Sequence, residues 1–407
     1  MSSPLNVVIV GNGVAGITAA QTIKDKNPET HVSIYTDETM HYYPRPRLYD
    51  VLSDEAKPQD IVMFTEEWYN KKGIKVKLDK KAIYIDTEQK KLFFEDQSTV
   101  NYDKLLLANG GHCFVPPVAG VEKTGVFTVR KVKDVLAIKK FAKKTKKTII
   151  VGGGLLGLEF ASSLNKLGQQ VTVIELLPWL LPKQLDNDGA SILKNHLTSQ
   201  GINIIVNTKT HEILGDSKVS GVLLEGGEKI QGELVLISAG IRSNIELAKK
   251  SGIKVNRGVI IDKYLQTSTN DVYAAGDVVE FEGKVYGIIP AAINQATIAA
   301  NNILNEKKIT YTGTIPSNTL KVVNIDLTSI GIINPTDPKY EEIKEVDKEK
   351  GTYKKLVLDN GKIVGAILLG DKRQIMSIKK LIAQEKDIRQ YKHTIFKKDF
   401  DFKTITS

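Results

Sequence analysis

An α/β chain, built from two doubly wound parallel-sheet units and a smaller α+β unit at its C-terminal end, is the fold class this sequence predicts. Three observations carry the prediction. A glycine-rich turn between an apolar strand and a helical pattern occurs twice, about 140 residues apart. Each copy leads to a second strand that ends in an acid. The last ~90 residues change character, to short strands separated by tight turns.

The first copy opens the chain. Asn6-Val7-Val8-Ile9-Val10 is a β-branched apolar run of the kind buried on both faces of a parallel sheet. It runs into Gly11-Asn12-Gly13-Val14-Ala15-Gly16, where a helical pattern begins and continues through Ile17, Ala20 and Ile23. The strand His31 to Thr36 then delivers Asp37 and Glu38. In this spacing Gly11 permits a tight turn, Gly13 lets main chain approach a pyrophosphate, and Gly16 lets helix and strand pack closely. The N–H groups opened by Val14 and Ala15 face the phosphates, and the acids sit where a ribose hydroxyl needs an acceptor. The bland reading, a tight packing turn, explains the glycines but not the acid at the right distance. The stretch reads as a dinucleotide site of Rossmann type.

Bulk properties narrow the class. At 407 residues the chain has room for two or three domains, and 41% apolar with 26% charged residues is an ordinary globular composition. No run approaches the ~18 apolar residues of a membrane span. The first strand starts too early for a signal peptide. A single cysteine, Cys113, excludes an intrachain disulfide and points to a reducing cytoplasm, and the six histidines show no metal-ligand spacing, so no metal is expected. The net charge of +10 is mostly lysine, thickest at Lys139 to Lys147. It reads as a solvated surface or as a complement to an acidic protein. Without a basic–aromatic motif, nucleic acid is not expected.

Further along, Met40 to Leu48 joins two prolines to Arg45 and Arg47 in a stiff loop able to bring cations to phosphate. Short strands are expected at Ile74 to Leu78, Ala82 to Asp86 and Lys91 to Glu95. A buried strand, Leu105 to Leu107, ends in the turn Ala108-Asn109-Gly110-Gly111. Pro116-Pro117 marks a crossover, and Lys133 to Lys144 reads as a helix. The fingerprint then returns: Thr148 to Val151 enters Gly152-Gly153-Gly154-Leu155-Leu156-Gly157, followed by a helix and a strand ending at Glu175. A carboxylate there accepts from a free 2′-hydroxyl and repels a 2′-phosphate, which favours NADH over NADPH. Leu176 to Pro182 is expected as a buried connection. Leu234 to Gly240 closes the unit. Val272 to Asp277 is a strand with a Gly-Asp turn, and Pro290 to about Leu304 a helix whose dipole can stabilise negative charge. Strands at Leu320 to Ile325, Tyr353 to Leu358 and Val364 to Leu369, and a helix at Ile375 to Ala383, complete the chain.

With both fingerprints and the Gly-Asp turn in view, the chain resembles the pyridine nucleotide-disulfide oxidoreductase superfamily, and within it NADH:rubredoxin reductases and the flavin-binding portion of NADH-dependent nitrite reductases. The resemblance implies an FAD-binding domain (1–113 and 239–316), an NAD-binding domain inserted in it (114–238), and a C-terminal α+β interface domain (317–407). By motif, Gly11, Gly13 and Gly16 would hold the FAD pyrophosphate, and Asp37 with Glu38 the ribose. Arg45, Ala82 and the Asn109-Gly110 turn would touch FAD. Asp277 would bind the ribityl chain, with Ile289 and Pro290 near the flavin ring. Gly152, Gly154, Gly157 and Glu175 would hold NADH, Gly240 would pass close to it, and Glu159 matches a glutamate beside the nicotinamide.

Two departures carry weight. The lysine that some relatives place after the arginine loop is absent, with Asp50 near that point. The redox cysteine of the disulfide reductases is missing, and Cys113 lies in the wrong place to replace it. The expected activity is therefore hydride transfer from NADH to FAD and onward delivery to a small acidic carrier such as rubredoxin. Oxygen or a nitrite reductase partner is the alternative acceptor. An NADH-responsive signalling flavoprotein is the alternative of another class. A cytoplasmic monomer or homodimer is expected.

Overall fold

The computed structural model describes residues 4–305, 309–397 and 400–406. The chain divides into two compact units: residues 1–114, 130–132 and 240–314 form unit 1, and 115–129, 133–239 and 315–407 form unit 2.

Unit 1 is built on a five-stranded parallel sheet in the order Val272–Ala274, Lys104–Leu107, Asn6–Val10, His31–Tyr35, Ile74–Lys77. The opening strand is central, which is why Val7, Val8 and Ile9 are fully buried and carry no polar alternation. Helix Val14–Lys26 lays Ile17, Ala20 and Ile23 on this sheet. Small residues on helix Ile289–Asn305 (Ala292, Ala296, Ala299 and Ala300) join the same core. A three-stranded antiparallel sheet, Ala82–Asp86, Lys91–Phe94 and Thr99–Asn101, completes the unit.

Unit 2 repeats the plan. Its parallel sheet runs Asn203–Ile205, Gln170–Ile174, Lys147–Val151, Leu234–Ile237, Val126–Phe127, with helix Leu155–Lys166 after the second fingerprint. Again a three-stranded antiparallel sheet accompanies it: Thr210–Leu214, Gly221–Leu224 and Lys229–Gln231. The repeat therefore reaches well beyond the glycines. The C-terminal part adds a five-stranded antiparallel sheet, ordered Ser317–Val322, Ile325–Gly331, Lys362–Leu369, Thr352–Asp359, Glu341–Asp347, with helix Ile375–Ala383 packed on it.

Two expectations fail. The stretch Leu320 to Ile325 is not one strand but a hairpin: Val323 and Asn324, both at positive φ, turn the chain between Val322 and Ile325. A valine there hid the turn, because its side chain reads as strand. Within Leu176 to Pro182, Leu180 and Leu181 are buried as expected, but Leu176 and Leu177 are 60% and 45% exposed. The strand Glu341–Asp347 escaped prediction because, exposed along most of its length, it carries charges instead of an apolar face.

Candidate functional site: two glycine cradles

In both units the three glycines have separable reasons. Gly11 (φ 105) and Gly152 (φ 117) occupy the left-handed region. Cβ atoms there would stand 2.3 Å from the carbonyl oxygens of Ala108 and Ser238. Cβ atoms on Gly16 and Gly157 would lie 2.0 and 2.1 Å from the oxygens of Gly11 and Gly152, so helix and turn touch only through glycine. Gly13 and Gly154 are different. Neither has a positive φ, and a Cβ on either would meet nothing within 4 Å. Among the described residues nothing requires glycine at these two positions; a ligand brought against the main chain would.

The helix ends agree. Gly13 and Gly154 are the N-caps of Val14–Lys26 and Leu155–Lys166; no side chain caps either helix and neither first turn carries an acid. Elsewhere the chain does cap: Thr65 Oγ1 accepts from Trp68 N–H, and Asp186 from Gly189 N–H. Uncapped first-turn donors and a positive dipole end make an anion site at each cradle. The residues present fit the phosphates of a dinucleotide.

Around the first cradle, unit 1 assembles most of the predicted residues. Arg45 Nη2 pairs with Glu38 Oε1 at 2.7 Å, and Tyr43 hydroxyl donates to Glu38 Oε2 at 3.0 Å. Burial, outweighing the pull of Arg45, raises the Tyr43 phenol far above its ordinary value, so it stays a donor. Lys80 N–H donates to the Thr36 carbonyl at 2.7 Å, bringing the chain entering Ala82 beside the strand that ends in Asp37. Asn109 and Asn244 exchange amide-to-carbonyl hydrogen bonds of 3.0 and 2.7 Å, fixing the Asn109-Gly110 turn. Ser243 Oγ donates to the Asp277 carbonyl at 2.7 Å. Ile289 and Pro290 begin their helix exposed. Gly240 (φ 99) also belongs to unit 1, where its carbonyl accepts from Phe114 N–H at 2.9 Å.

Sequence reasoning missed Arg130 and Lys131. The tripeptide 130–132 belongs to unit 1 although both flanks belong to unit 2. Arg130 Nη2 pairs with Asp277 at 2.9 Å, and Lys131 Nζ with Asp37 at 2.8 Å. The Arg130 carbonyl accepts from Arg45, and Val132 N–H donates to Tyr43 hydroxyl at 3.4 Å. Two adjacent residues thus supply cations to two acids expected at opposite ends of one ligand. In a lysine-rich chain an Arg-Lys pair carries no signal of its own. Only a cation expected opposite the Gly-Asp turn would have singled it out.

Around the second cradle, Glu175 is buried, and its two oxygens accept from Gly153 N–H at 2.7 Å and Leu177 N–H at 2.8 Å. A carboxylate has about four acceptor positions, so capacity remains for a ribose hydroxyl. Leu155 and Leu156 open the helix, half-buried. Glu159 does not stand open: its Oε1 accepts from Val323 N–H at 3.0 Å, at the C-terminal hairpin. Cys113 lies in the short strand Gly111–Cys113 of unit 1, paired with Ile241–Ser243. Among the described residues no cluster of His, Cys, Asp and Glu could hold a metal, and no helix is long and apolar enough to cross a membrane.

Comparison with known proteins agrees with this architecture. Residues 5–301 match the model of the family described as pyridine nucleotide-disulphide oxidoreductase, and residues 316–386 that of the rubredoxin NAD+ reductase C-terminal domain. The chain is 36% identical to the nitrite reductase [NAD(P)H] of Bacillus subtilis over 94% of its own length, but over only 48% of that protein. It spans about half the length of the first curated relatives it matches. With the NADH-rubredoxin oxidoreductase of Clostridium acetobutylicum it shares 30% identity over 93% of this chain and 95% of that one. The crystal structure of that enzyme superposes with a TM-score of 0.78, covering 94% of this chain and 96% of the other. Two matching glycine cradles, their order in the chain and these likenesses lead to one conclusion: the chain belongs to the pyridine nucleotide-disulphide oxidoreductase family.

Proposed function

We propose that this protein is an FAD-dependent oxidoreductase that oxidises NADH and passes the electrons to a small acidic carrier protein of the rubredoxin kind. The observation that carries the reading is the pair of open cradles, Gly13 and Gly154, in a chain with a single cysteine. Two cradles call for two dinucleotides. One thiol cannot make the dithiol relay of a disulfide reductase.

The FAD half is formed by 1–113 and 239–316 joined by 130–132, the NADH half by the rest of 114–238, and 317–407 is an interface domain. Gly11, Gly13 and Gly16 hold the FAD pyrophosphate, with Asp37, Glu38 and Arg45 at the adenosine end and Asp277 with Arg130 at the ribityl end. Gly152, Gly154, Gly157 and Glu175 hold NADH. When bound, the flavin supplies the chemistry: it takes a hydride and releases electrons singly. The protein binds, orients and neutralises charge. Glu159, the residue expected to act catalytically beside the nicotinamide, accepts a hydrogen bond from Val323 N–H, which orients its carboxylate. The excess of lysine steers an acidic carrier. A single cysteine suits the cytoplasm.

A second reading keeps the chemistry and changes the acceptor to a nitrite-reducing partner, favoured by the 36% identity to half of a nitrite reductase. Stopped-flow re-oxidation of the NADH-reduced protein decides between them. Fast re-oxidation by rubredoxin that slows with salt, with sluggish reaction with air, is expected. Indifference to rubredoxin would overturn the carrier reading.

A further inference from the structure

The Gly276-Asp277 turn is pinned from behind by a residue that no motif assigned. Gly276 (φ 89) is in the left-handed region, and a Cβ on it would stand 2.9 Å from the Ala15 Cβ, so the turn lies directly on the first fingerprint helix. On its other side Gln295, from the helix Ile289–Asn305, is 1% exposed, and its Oε1 accepts from Gly276 N–H at 2.9 Å. An N–H can only donate, which fixes the carboxamide's orientation and turns its Nε2 toward Tyr311 hydroxyl at 3.2 Å. That hydroxyl meets Thr314 Oγ1 at 2.7 Å, and Thr314 N–H donates to Tyr286 hydroxyl at 3.2 Å. Thr314 is the last residue of unit 1 before the chain enters unit 2.

We propose that Gln295 is a positioning residue for FAD: its carboxamide, locked by Tyr311, sets how far Asp277 stands from the glycine cradle. The inference rests on the proposed function. A buried carboxamide is tolerated only when both its ends are satisfied, and here one end serves the turn and the other the lock. Leucine or methionine would fill the same core space but would leave the Gly276 N–H without this acceptor. The amide is there for the turn.

Flavin is stripped from the protein and FAD titrated back, with binding read from flavin fluorescence. Gln295→Met keeps the length and loses the acceptor; it should weaken FAD binding by about tenfold or more. Gln295→Glu keeps an acceptor for Gly276 and can take the Tyr311 hydrogen; it should bind within about threefold of the parent. Tyr311→Phe frees the carboxamide and should weaken binding by about fivefold or more. NADH affinity should not move in any of them. FAD binding by Gln295→Met within threefold of the parent, or by Gln295→Glu as weak as Gln295→Met, would overturn the inference. If Gln295→Met does not fold, parent-like binding by Tyr311→Phe overturns it. Failure of the parent itself to take up FAD would bring down the proposed function, a result distinct from these.

Discussion

At the first cradle both acids are met by cationic side chains, Lys131 on Asp37 and Arg45 on Glu38, and the neighbouring Asp277 by Arg130. At the second, Glu175 is met by main chain, the N–H groups of Gly153 and Leu177, and among the described residues no cation pairs with it. The glycine geometry is nearly superimposable in kind: 2.0 against 2.1 Å at the packing glycine, 2.3 against 2.3 Å at the turning one. So the shared part of the design is steric and the differing part is electrostatic. Cations fixed before a ligand arrives preorganise the first cradle for a permanent occupant. A carboxylate held only by main chain, with acceptor positions left, suits a ligand that comes and goes. Resident FAD and exchanging NADH fit this difference.

The steric half of the comparison gives the largest effects. Gly16→Ala and Gly157→Ala drive a methyl into a carbonyl oxygen, and each should destabilise its unit by about 3 kcal/mol, read from urea unfolding. Gly13→Ala and Gly154→Ala place the methyl in open space and should leave stability within about 0.5 kcal/mol of the parent. Each should nevertheless lose dinucleotide affinity, FAD for the first and NADH for the second. If Gly154→Ala unfolds the protein as Gly157→Ala does, the cradle is a packing turn and the comparison collapses.

The electrostatic half is sharpened by Arg130→Met and Glu175→Ala. Removing Arg130 strands the Asp277 carboxylate in a partly buried site, and FAD binding should weaken about thirtyfold with the KM for NADH unchanged. Removing Glu175 should raise the KM for NADH about tenfold, lower the preference over NADPH, and leave FAD in place. Crossed effects, with Arg130 acting on NADH or Glu175 on FAD, would show that the two cradles do not divide the labour.

What the sequence made legible follows the same division. The steric half is local: Gly11 to Gly16 and Gly152 to Gly157 state it within six residues, and strand and helix periods frame it. The ends of the parallel strands were readable for the same reason. Arg130 and Lys131 were not, because their meaning depends on a crossover that returns three residues to unit 1. Gln295 was hidden too, as one of several amides that this helix buries, with its partner Tyr311 sixteen residues on. The Val323–Asn324 turn defeated propensity outright, since a β-branched residue at positive φ is costly and is held here by Glu159 and by His196 on its carbonyl. Pairwise long-range partners are what a single sequence conceals.

The smallest effect separates the units by acid. In unit 2, burial pushes the Asp186 carboxyl up, but the Tyr353 hydroxyl at 2.6 Å, Gly189 N–H and the buried Lys355 ammonium at 3.1 Å together bring it below its ordinary value. A carboxyl depressed by folding adds stability that is present above its unfolded value, about 3.9, and is lost as pH falls through the lower folded one. Asp271 in unit 1 follows the same sign: burial raises it and Lys104 and Lys90 overcome that, but it is more exposed and solvent screens it more. Asp186→Asn keeps an oxygen for the helix cap and loses the charge facing Lys355 and Lys344, while Lys355 keeps its pair with Glu342 at 2.7 Å. It should cost about 1 kcal/mol at pH 7 by urea unfolding, with the difference shrinking below about pH 4. Asp271→Asn should cost less at the same pH. A deficit for Asp186→Asn that stays constant from pH 7 to pH 3 would mean that the carboxylate's charge does no work there, and that the loss comes from disturbed hydrogen bonds at Gly189 and Tyr353.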